Sequence, residues 1–401
     1  MNSINSYSCP NCSRNSTLIY QALKQPLYSQ VLLSDAKDPV KYQTKELGIC
    51  YCPECVFGFL MQPLNSQELD ILYSKLYTFR PSDISKSDVV FMKTISEHLK
   101  ELQGVVNVLE VGCHDGYFLN MLSKLGLKCT GFEPSPSGKI GYQRYSGLKI
   151  YNEFFNPILC SDSYDLICLR MVLEHINDPI SFLKSLKNVL KPGGYLYVEI
   201  PDLEYQITNL FFNDFHFEHC AYFTIKSAVE IIKKAGFYIY DQIKISNNIL
   251  TLIFVENESL FNSAIYEEIN NSNWTEFNSK NVSTFMKRLS YLKEKFWNIF
   301  NNSNAWAIWG AGAHSINTIS FLGLTEDHVK FVVDSDQEKH NKFLPGCGFQ
   351  VLSPESLRDK SVNVILICSK YSDEIKSIIN KEYSHIEKKY TLFNNDVIEL
   401  S

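Results

Sequence analysis

The chain has 401 residues, and at roughly 150 residues per domain it is long enough for two to three folding units with their own cores. Its net charge of -6 provides no basic field for a phosphate backbone, which argues against nucleic acid as the main partner. With 45% hydrophobic and 20% charged residues, the composition is that of a folded globular protein and excludes a mainly disordered chain.

No stretch of the sequence approaches the roughly 18 to 20 apolar residues of a membrane helix, and the N-terminus lacks a basic segment followed by an apolar one. We therefore expect a cytoplasmic protein without a membrane partner. Twelve cysteines in a chain of this length are not typical of a disulfide scaffold. The oligomeric state cannot be inferred from these patterns.

Two Cys-x-x-Cys pairs lie near the N-terminus. They are Cys9-Pro-Asn-Cys12 and Cys52-Pro-Glu-Cys55. Each pair can direct two thiolates at one ion, and four thiolates complete a tetrahedral Zn²⁺ shell with Zn–S near ~2.3 Å. Such a shell has no open position for water, so the expected zinc is structural. Cys50 is an alternative ligand to Cys52. The pattern predicts a small zinc-binding domain over residues 1–80.

Residues 81–255 alternate apolar strands with amphipathic helices, which is the pattern of an open α/β sheet. The predicted strands are Asn107–Val111, Lys128–Phe132, Tyr164–Leu169, Gly194–Ile200, Phe237–Ile245 and Leu250–Val255.

The first of these strands leads into the loop Glu110-Val-Gly112-Cys113-His114-Asp115-Gly116, which precedes a predicted helix. Glycines let the backbone approach a ligand closely, and a helix N-terminus presents free N–H groups. A dinucleotide loop has the pattern G-x-G-x-x-G, whereas here acidic residues would repel a pyrophosphate and favour a cationic ligand. Glu133 ends the second strand, where a carboxylate can accept hydrogen bonds from both ribose hydroxyls.

Two further segments complete a recognisable series. Arg170 and Met171 follow the third strand, and Leu190-Lys-Pro-Gly-Gly-Tyr precedes the fourth. Over about residues 105–200 this series resembles the class I S-adenosylmethionine-dependent methyltransferases, which implies S-adenosylmethionine as the cofactor. The alternative is a dinucleotide-binding sheet with incidental carboxylates. The cofactor-binding residues that the resemblance implies are Glu110, Gly112, Cys113, Asp115 and Gly116 for the loop, Glu133 for the ribose, and Arg170 and Met171 beneath the sulfonium.

Histidines are concentrated beyond the cofactor strands. His175 comes just past a strand end, and the segment Asp214-Phe-His216-Phe-Glu218-His219 holds two imidazoles and two carboxylates. An imidazole titrates near working pH and a carboxylate can orient it, so this segment suits general base chemistry. The alternative is a set of polar groups at the core edge, before a helix that Thr224 would cap. A three-histidine zinc site does not fit the spacing of a standard metalloprotease motif.

Residues 256–304 place Phe285, Leu289, Leu292 and Phe296 at helical spacing and are expected to form a helical connector. Residues 305–401 begin a second α/β series. Its elements are a strand Ala305–Trp309, a turn Gly310-Ala-Gly312, a helix, and strands Val329–Asp334 and Val362–Cys368. The sequence as a whole therefore predicts an α/β protein with an N-terminal zinc-binding domain, a class I methyltransferase sheet, a helical connector and a second, C-terminal Rossmann-like domain.

This order of parts resembles the sugar C-methyltransferases that act on nucleotide-activated 4-keto deoxysugars. The resemblance implies a nucleotide-sugar substrate and removal of a proton from the carbon beside the ketone. It implies His219 as the base or its close partner, Glu218 as its orienting group and His175 as a second polar group at the reacting centre. It also implies a phenol contributed by the N-terminal part, Tyr77 or, as an alternative, Tyr73.

The chain departs from that family in its substrate-facing segments. Where the family has Tyr-His-Glu-His, this sequence has His216-Phe217-Glu218-His219, so a histidine replaces the tyrosine. Gly312-Ala-His-Ser replaces a more usual Gly-Ala-x-Gly turn. Methylation of a sugar oxygen or nitrogen is therefore a second hypothesis. A third treats the C-terminal domain as a nicotinamide-binding module of an oxidoreductase, or the protein as a sugar-nucleotide binding protein, although the loop lacks a third glycine.

Overall fold

The computed structural model describes residues 7–29, 32–34, 43–76, 86–145, 147–300, 306–358, 361–369, 371–392 and 397–400. The strands are Tyr7–Ser8 (β1), Asn15–Pro26 (β2), Thr44–Cys52 (β3), Phe57–Leu60 (β4), Asn107–Val111 (β5), Lys128–Phe132 (β6), Lys149–Tyr151 (β7), Tyr164–Arg170 (β8), Leu190–Pro201 (β9), Ala221–Phe223 (β10), Tyr238–Gln242 (β11), Ile249–Val255 (β12), Trp306–Trp309 (β13), Val329–Val333 (β14), Val351–Leu352 (β15), Val364–Ile367 (β16), Lys388–Thr391 (β17) and Ile398–Glu399 (β18).

The α-helices are Ser66–Ile71 (α1), Lys86–Lys100 (α2), Tyr117–Lys124 (α3), Pro136–Arg144 (α4), Pro179–Leu186 (α5), Leu203–Thr208 (α6), Ile225–Lys234 (α7), Ser263–Asn271 (α8), Trp274–Glu276 (α9), Ser283–Phe300 (α10), Ala313–Leu322 (α11) and Ser372–Glu382 (α12). Turns of π-helix span Leu72–Leu76 and Phe277–Val282, and short 3₁₀ helices span Pro157–Leu159, Leu173–His175, Phe212–Asp214, Glu258–Leu260, Gln337–Lys339 and Pro354–Arg358.

The central sheet has seven strands in the order β11-β12-β9-β8-β5-β6-β7. β5 pairs in parallel with β6 and β8, and β12 is antiparallel to both of its neighbours. This topology is the α/β fold of class I methyltransferases. The chain runs outward from β5 to β6 and β7 on one side and returns to β8 and β9 on the other. In open α/β sheets, ligands bind at the carboxyl ends of the strands beside such a switch point.

The N-terminal sheet is antiparallel and has the order β1-β2-β3-β4-β10. Its last strand, β10, comes from the segment just after His219 and pairs with β4, with Ala221 opposite Phe59. A strand far away in sequence therefore closes the sheet that carries the cysteine pairs. This pairing ties the histidine segment to the N-terminal part of the chain.

The C-terminal sheet has the order β15-β14-β13-β16-β17-β18, and β13 pairs in parallel with both β14 and β16. Like the central sheet, it has a switch point, which lies at β13, the first strand of this domain. Helix α10 buries Phe285, Leu289, Leu292 and Phe296, which are the residues that the helical spacing had predicted. They belong to one apolar core with residues of the N-terminal and C-terminal sheets, so the three parts pack on one another.

Helix α7 begins where the sequence predicted it. The hydroxyl of Thr224 accepts the N–H of Ser227, and the hydroxyl of Ser227 accepts the N–H of Thr224 at 2.9 Å, which forms a reciprocal capping box. Its apolar face packs on the central sheet. Of the helices that the structure describes, none is both long and apolar enough to cross a membrane.

Candidate functional site

A cavity of about 860 Å³ opens at the carboxyl ends of β5, β6 and β8. The sequence had predicted eight cofactor-binding residues here, and seven of them line this cavity: Glu110, Gly112, Cys113, Asp115, Glu133, Arg170 and Met171. The eighth, Gly116, is the residue before α3 and follows Asp115 directly. The predicted loop and strand ends are thus gathered around one space, at the switch point of the sheet.

The loop after β5 adopts a conformation that requires glycine at two positions. Gly112 has φ +71°, and a Cβ there would lie 2.5 Å from Cγ2 of Val172. Gly116 has φ +74°, and a Cβ there would lie 2.8 Å from Cδ1 of Ile150. Between them His114 also has a positive φ of 58°, a strained conformation that is commonly found at functional sites.

The carboxylate of Glu133 is held by backbone N–H groups. His114 donates to Oε2 at 3.0 Å and Ser135 donates to Oε1 at 2.9 Å. Each carboxylate oxygen has a second lone pair, so a ligand hydroxyl could still donate to it. The strained backbone at His114 and the predicted ribose-binding carboxylate are therefore parts of one arrangement.

Arg170 lies between two buried carboxylates at the base of the cavity. Its Nε and Nη2 donate to Glu199 at 2.9 and 3.3 Å, and its Nη1 lies 3.6 Å from Oε1 of Glu110. Its guanidinium also stacks on the ring of Phe118, 4.1 Å from the centroid. Burial raises the pKa of Glu110 to about 8, and Oε2 of this residue has no hydrogen-bond partner.

Acidic groups outnumber basic ones around the cavity. Five carboxylates, but of the described lysines and arginines only Arg170, belong to its lining. The carboxylates are Asp88, Glu110, Asp115, Glu133 and Glu199. Arg144 pairs with Asp115 at 2.6 Å, which leaves an excess of acidic groups. Such a cavity favours a ligand that carries positive charge.

His175 is the histidine of the predicted catalytic set that lines the cavity. Its Nδ1 lies 2.6 Å from the carbonyl oxygen of Glu218 and 2.7 Å from the hydroxyl of Tyr73. Because a carbonyl only accepts hydrogen bonds, Nδ1 must carry the hydrogen, and Nε2 retains its lone pair. Burial lowers the pKa of His175 to about 4, so this imidazole is neutral at pH 7.

Tyr73 also lines the cavity and is presented by the π-helical turn Leu72–Leu76. Turns of π-helix are frequent at functional sites. The sequence analysis favoured Tyr77 as the phenol from the N-terminal part, and Tyr77 lies outside the described residues. Among the described tyrosines, the alternative choice, Tyr73, is the one that reaches His175.

The remaining members of the histidine cluster are buried outside the lining of the cavity. Nδ1 of His216 lies 2.7 Å from Oε2 of Glu218, and the N–H of Ser29 donates to Oε1 of Glu218 at 2.7 Å. The ring of His219 is 4.1 Å from that of His216 and 4.8 Å from that of His175, between centroids. The structure therefore brings all four predicted residues together, with His219 between the other two imidazoles.

The surroundings of the two inner histidines shift their pKa values in opposite directions. Burial alone would lower the pKa of His216. The carboxylate of Glu218 has the opposite and larger effect, so the pKa lies above the ordinary value. For His219, burial and the neighbouring His216 act together and lower the pKa well below the ordinary value. His219 is thus held neutral, while the carboxylate of Glu218 favours the charged form of His216, and Nδ1 of His219 has no hydrogen-bond partner.

Sequence reasoning gave no role to Glu174 or Glu199. Glu174 is 1% exposed, neither of its carboxylate oxygens has a partner, and Oε1 lies 3.9 Å from Nε2 of His175. Burial raises the pKa of Glu174 well above the ordinary value. Two features of the sequence could have indicated these residues. Glu174 directly precedes His175, and Glu199 is an acidic residue inside the apolar run of β9.

Four sulfur atoms meet at the end of the N-terminal sheet. Those of Cys9, Cys12, Cys52 and Cys55 all lie within 4.8 Å of one another. The hydrogen bond from Cys55 lowers the pKa of Cys9 to about 5, so a thiolate is available at neutral pH. Four convergent sulfur donors fit a tetrahedral Zn²⁺ ion. Cys50 is buried nearby and is not one of the four.

Comparisons with known proteins agree with this geometry. Residues 80–242 match the family described as "Methyltransferase domain", and residues 267–391 match the family described as "C-methyltransferase C-terminal domain". The chain therefore contains a methyltransferase domain, which is the class that the fold and the cavity define. Within that class, the second match is to a domain of C-methyltransferases.

Two curated relatives illustrate the range of similarity. The C-methyltransferase NovU of Streptomyces niveus is 21% identical over 342 residues, which cover 81% of this chain and 80% of the relative. The tRNA U34 carboxymethyltransferase of Campylobacter curvus (strain 525.92) is 28% identical over 158 residues, or 34% of this chain. This chain spans about half of that relative's length, 52%.

Among solved structures, magnesium protoporphyrin IX methyltransferase from Synechocystis PCC 6803 with bound SAH is similar to 48% of this chain. The match covers 95% of that chain at 18% identity, with a TM-score of 0.35.

Proposed function

We propose that the protein is an S-adenosylmethionine-dependent methyltransferase that methylates the carbon beside the ketone of a nucleotide-linked 4-keto deoxysugar. The observation that carries this proposal is the neutral imidazole of His175 in the lining of an acidic cavity, with the ring of His219 packed behind it at 4.8 Å between centroids. A cationic methyl donor and a proton acceptor are the two requirements of carbon methylation. The match of residues 267–391 to a C-methyltransferase domain supports the same reaction.

S-adenosylmethionine, when bound, supplies the methyl group from its sulfonium and leaves as S-adenosylhomocysteine. The residues around the cavity suit this cofactor. Glu133 can accept hydrogen bonds from ribose hydroxyls, and the loop Gly112–Gly116 allows close approach of the cofactor backbone. Arg170 pairs with Glu199 at the base of the cavity, and beside it burial keeps Glu110 largely protonated, so that this carboxyl can donate as well as accept a hydrogen bond.

The histidine cluster performs the proton chemistry in this proposal. His219 is the base, and His175 is the polar group at the cavity wall that passes the proton or holds the substrate. The charged pair of His216 and Glu218 fixes the orientation of this cluster. The hydroxyl of Tyr73 donates a hydrogen bond to the developing enolate oxygen. Tyr77 stays a candidate for the same role.

Proton exchange tests carbon methylation directly. Incubating a panel of nucleotide-linked 4-keto-6-deoxysugars with the protein in D₂O, without cofactor, should exchange the hydrogen beside the ketone. Addition of S-adenosylmethionine should then add one methyl mass to that sugar. A mass gain without prior exchange would favour methylation of oxygen. That second candidate has support from an O-methyltransferase of ubiquinone biosynthesis in Actinobacillus pleuropneumoniae (serotype 7, strain AP76), 32% identical over 22% of this chain and 43% of that relative.

Replacing the base separates the roles of the histidines. His219→Ala should reduce turnover by roughly 10²- to 10⁴-fold, because a lost general base has an effect of this size, while the affinity for cofactor stays nearly unchanged. Steady-state methylation and calorimetry measure the two quantities. Full turnover in His219→Ala, together with loss of exchange in His175→Gln, would move the base to His175.

The four clustered cysteines are proposed to bind one structural Zn²⁺ ion. Cys9→Ser should reduce the zinc content of the purified protein to near zero and destabilise the N-terminal sheet, because metal binding contributes to folding. Cys50→Ala is the matched control and should keep one zinc per chain. Equal zinc content in the two variants would contradict this ligand set.

A further inference from the structure

A buried chain of hydrogen bonds runs from the C-terminal domain to the histidine cluster. It starts at Asn317 on helix α11, whose Nδ2 donates to the backbone carbonyl of Asn213 at 2.5 Å. Nε2 of Gln25, on strand β2, donates to Oδ1 of Asn317 at 2.7 Å and to Oγ of Ser29 at 2.9 Å. The N–H of Ser29 donates to Glu218, which pairs with the histidine beside the proposed base.

The orientation of each amide in this chain is determined by its partners. The carbonyl of Asn213 can only accept, so the group of Asn317 that faces it must be the NH₂. Oδ1 of Asn317 is then the acceptor for Gln25, and the two hydrogens of the Gln25 amide go to its two acceptors. Every hydrogen bond in this chain thus joins one donor to one acceptor.

This chain is buried throughout and joins the three parts of the protein. Gln25, Ser29, Asn317 and Glu218 are each 0% exposed. Gln25 also retains a buried Oε1 without a partner, which costs free energy that an apolar side chain would not. The amides fix which group donates and which accepts at each contact, and an apolar contact between helix α11 and strand β2 would not do this. This directionality points to a positional role.

We propose that Asn317 and Gln25 are positioning residues, through which the C-terminal domain fixes Ser29 and so the carboxylate of Glu218 beside His216. Oε1 of Glu218 accepts the backbone N–H of Ser29, and Oε2 forms an ion pair with Nδ1 of His216 at 2.7 Å. A shift of Ser29 therefore moves the carboxylate, and with it the charged imidazole that lies against His219. The inference rests on the proposed function only for its effect on turnover.

Titratable groups from each packed segment surround the Glu218–His216 pair and remain unchanged in the variants described below. They are Tyr28, Tyr73, His175, Asp214, His219 and Tyr222. In Gln25→Met, a change in the titration of His216 therefore reports its distance to Glu218, whereas Asn317→Leu also releases the backbone carbonyl of Asn213 beside Asp214.

Two nearly isosteric variants interrupt the chain, and a neighbour provides the control. Asn317→Leu and Gln25→Met remove the amides and keep the side-chain volume. Thr318→Val removes the hydroxyl that donates to Oδ1 of Asn213 at 3.2 Å, on the same helix and at the same interface, without touching Gln25. All three variants are first compared with the unchanged protein for their thermal unfolding midpoint and their affinity for S-adenosylhomocysteine.

The decisive measurement is ¹⁵N NMR of the histidine side chains in the full chain, titrated with pH. We expect the proton-binding constant of His216 to fall by roughly tenfold in Asn317→Leu and in Gln25→Met, which is one unit of pKa. Thr318→Val should leave it unchanged. The double variant should show the same fall as either single variant, because both interrupt one chain.

An unchanged His216 signal in folded Asn317→Leu and Gln25→Met would overturn the inference, and so would an equal change in Thr318→Val. If Asn317→Leu does not fold, Ser29→Ala removes the acceptor of Gln25 within the same chain and is judged by the same outcomes. Turnover on a keto sugar should fall by roughly 10- to 100-fold in the interrupted variants, with unchanged cofactor affinity. The NMR result stands even if the substrate proposal fails.

Discussion

Two units of the molecule share one backbone arrangement and differ in charge. In each, a strand, a glycine turn and a helix lead to a second strand that ends in a carboxylate, Glu133 in one unit and Asp334 in the other. Glu133 accepts the N–H of His114, in the turn, at 3.0 Å, and the N–H of Ser135, two residues after Glu133, at 2.9 Å. Asp334 accepts the corresponding pair at 2.7 and 2.9 Å.

The surroundings of the two carboxylates are different. Beside the first, β5 carries the buried Glu110 one residue before its end, and Arg170 is held between it and another carboxylate. Beside the second, β13 ends in the apolar Trp309, and Lys339 compensates Asp334 at 3.1 Å near the surface. In both units the fold thus supplies a carboxylate bound by backbone N–H groups. Among the described residues, further buried carboxyl groups around an arginine lie beside it only in the methyltransferase unit.

The largest expected difference between the two units is in the loss of stability when the basic side chain, Arg170 or Lys339, is replaced. Arg170→Met should lower the free energy of unfolding by about 3 to 5 kcal/mol, because it leaves the buried carboxylate of Glu199 without its cation. Lys339→Met should cost at most about 1 kcal/mol, because this pair is partly exposed. Urea unfolding of both variants measures the difference.

A second variant isolates the charge of Arg170 from its packing. Arg170→Met combined with Glu199→Gln removes both members of the pair and should regain much of the lost free energy, since no new charge is left uncompensated. Equal losses in the single and double variants would mean that packing on Phe118, and not charge, is the role of this arginine.

A smaller difference is expected in cofactor affinity. Glu133→Ala should weaken binding of S-adenosylmethionine by about 1 to 3 kcal/mol, because ribose hydroxyls would lose their acceptor. Asp334→Ala removes the same kind of carboxylate from the other unit and should leave this affinity unchanged. Calorimetry with S-adenosylmethionine and, separately, NADH measures both. Tight NADH binding that depends on Asp334 would instead favour a nicotinamide-binding C-terminal domain.

Local patterns predicted the methyltransferase unit well. The strands Asn107–Val111 and Lys128–Phe132 have the bounds that their apolar runs indicated, and the cofactor loop lies between strand and helix as expected. The information needed for these elements lies within about ten residues of sequence. The short strand Lys149–Tyr151 was not predicted, because three residues do not establish a period.

The histidine cluster was predictable as a set of residues but not as a geometry. The sequence left open how His216 and His219 are arranged, and the contact of Tyr73 with His175 joins residues 102 positions apart. The bond from Ser29 to Glu218 spans 189 positions. Such contacts depend on how the N-terminal sheet packs on the core, and no local pattern encodes that packing.

The smallest predicted difference concerns the glycines of the two turns. Gly112→Ala should lower the free energy of unfolding by about 1 to 2 kcal/mol, because its φ of +71° is unfavourable for a residue with a side chain and the new Cβ would meet Val172 at 2.5 Å. Gly312 has an extended φ of -131° and open space around it, so Gly312→Ala should be neutral or slightly stabilising. Urea unfolding measures both changes. Equal costs would mean that Gly312 is as constrained as Gly112.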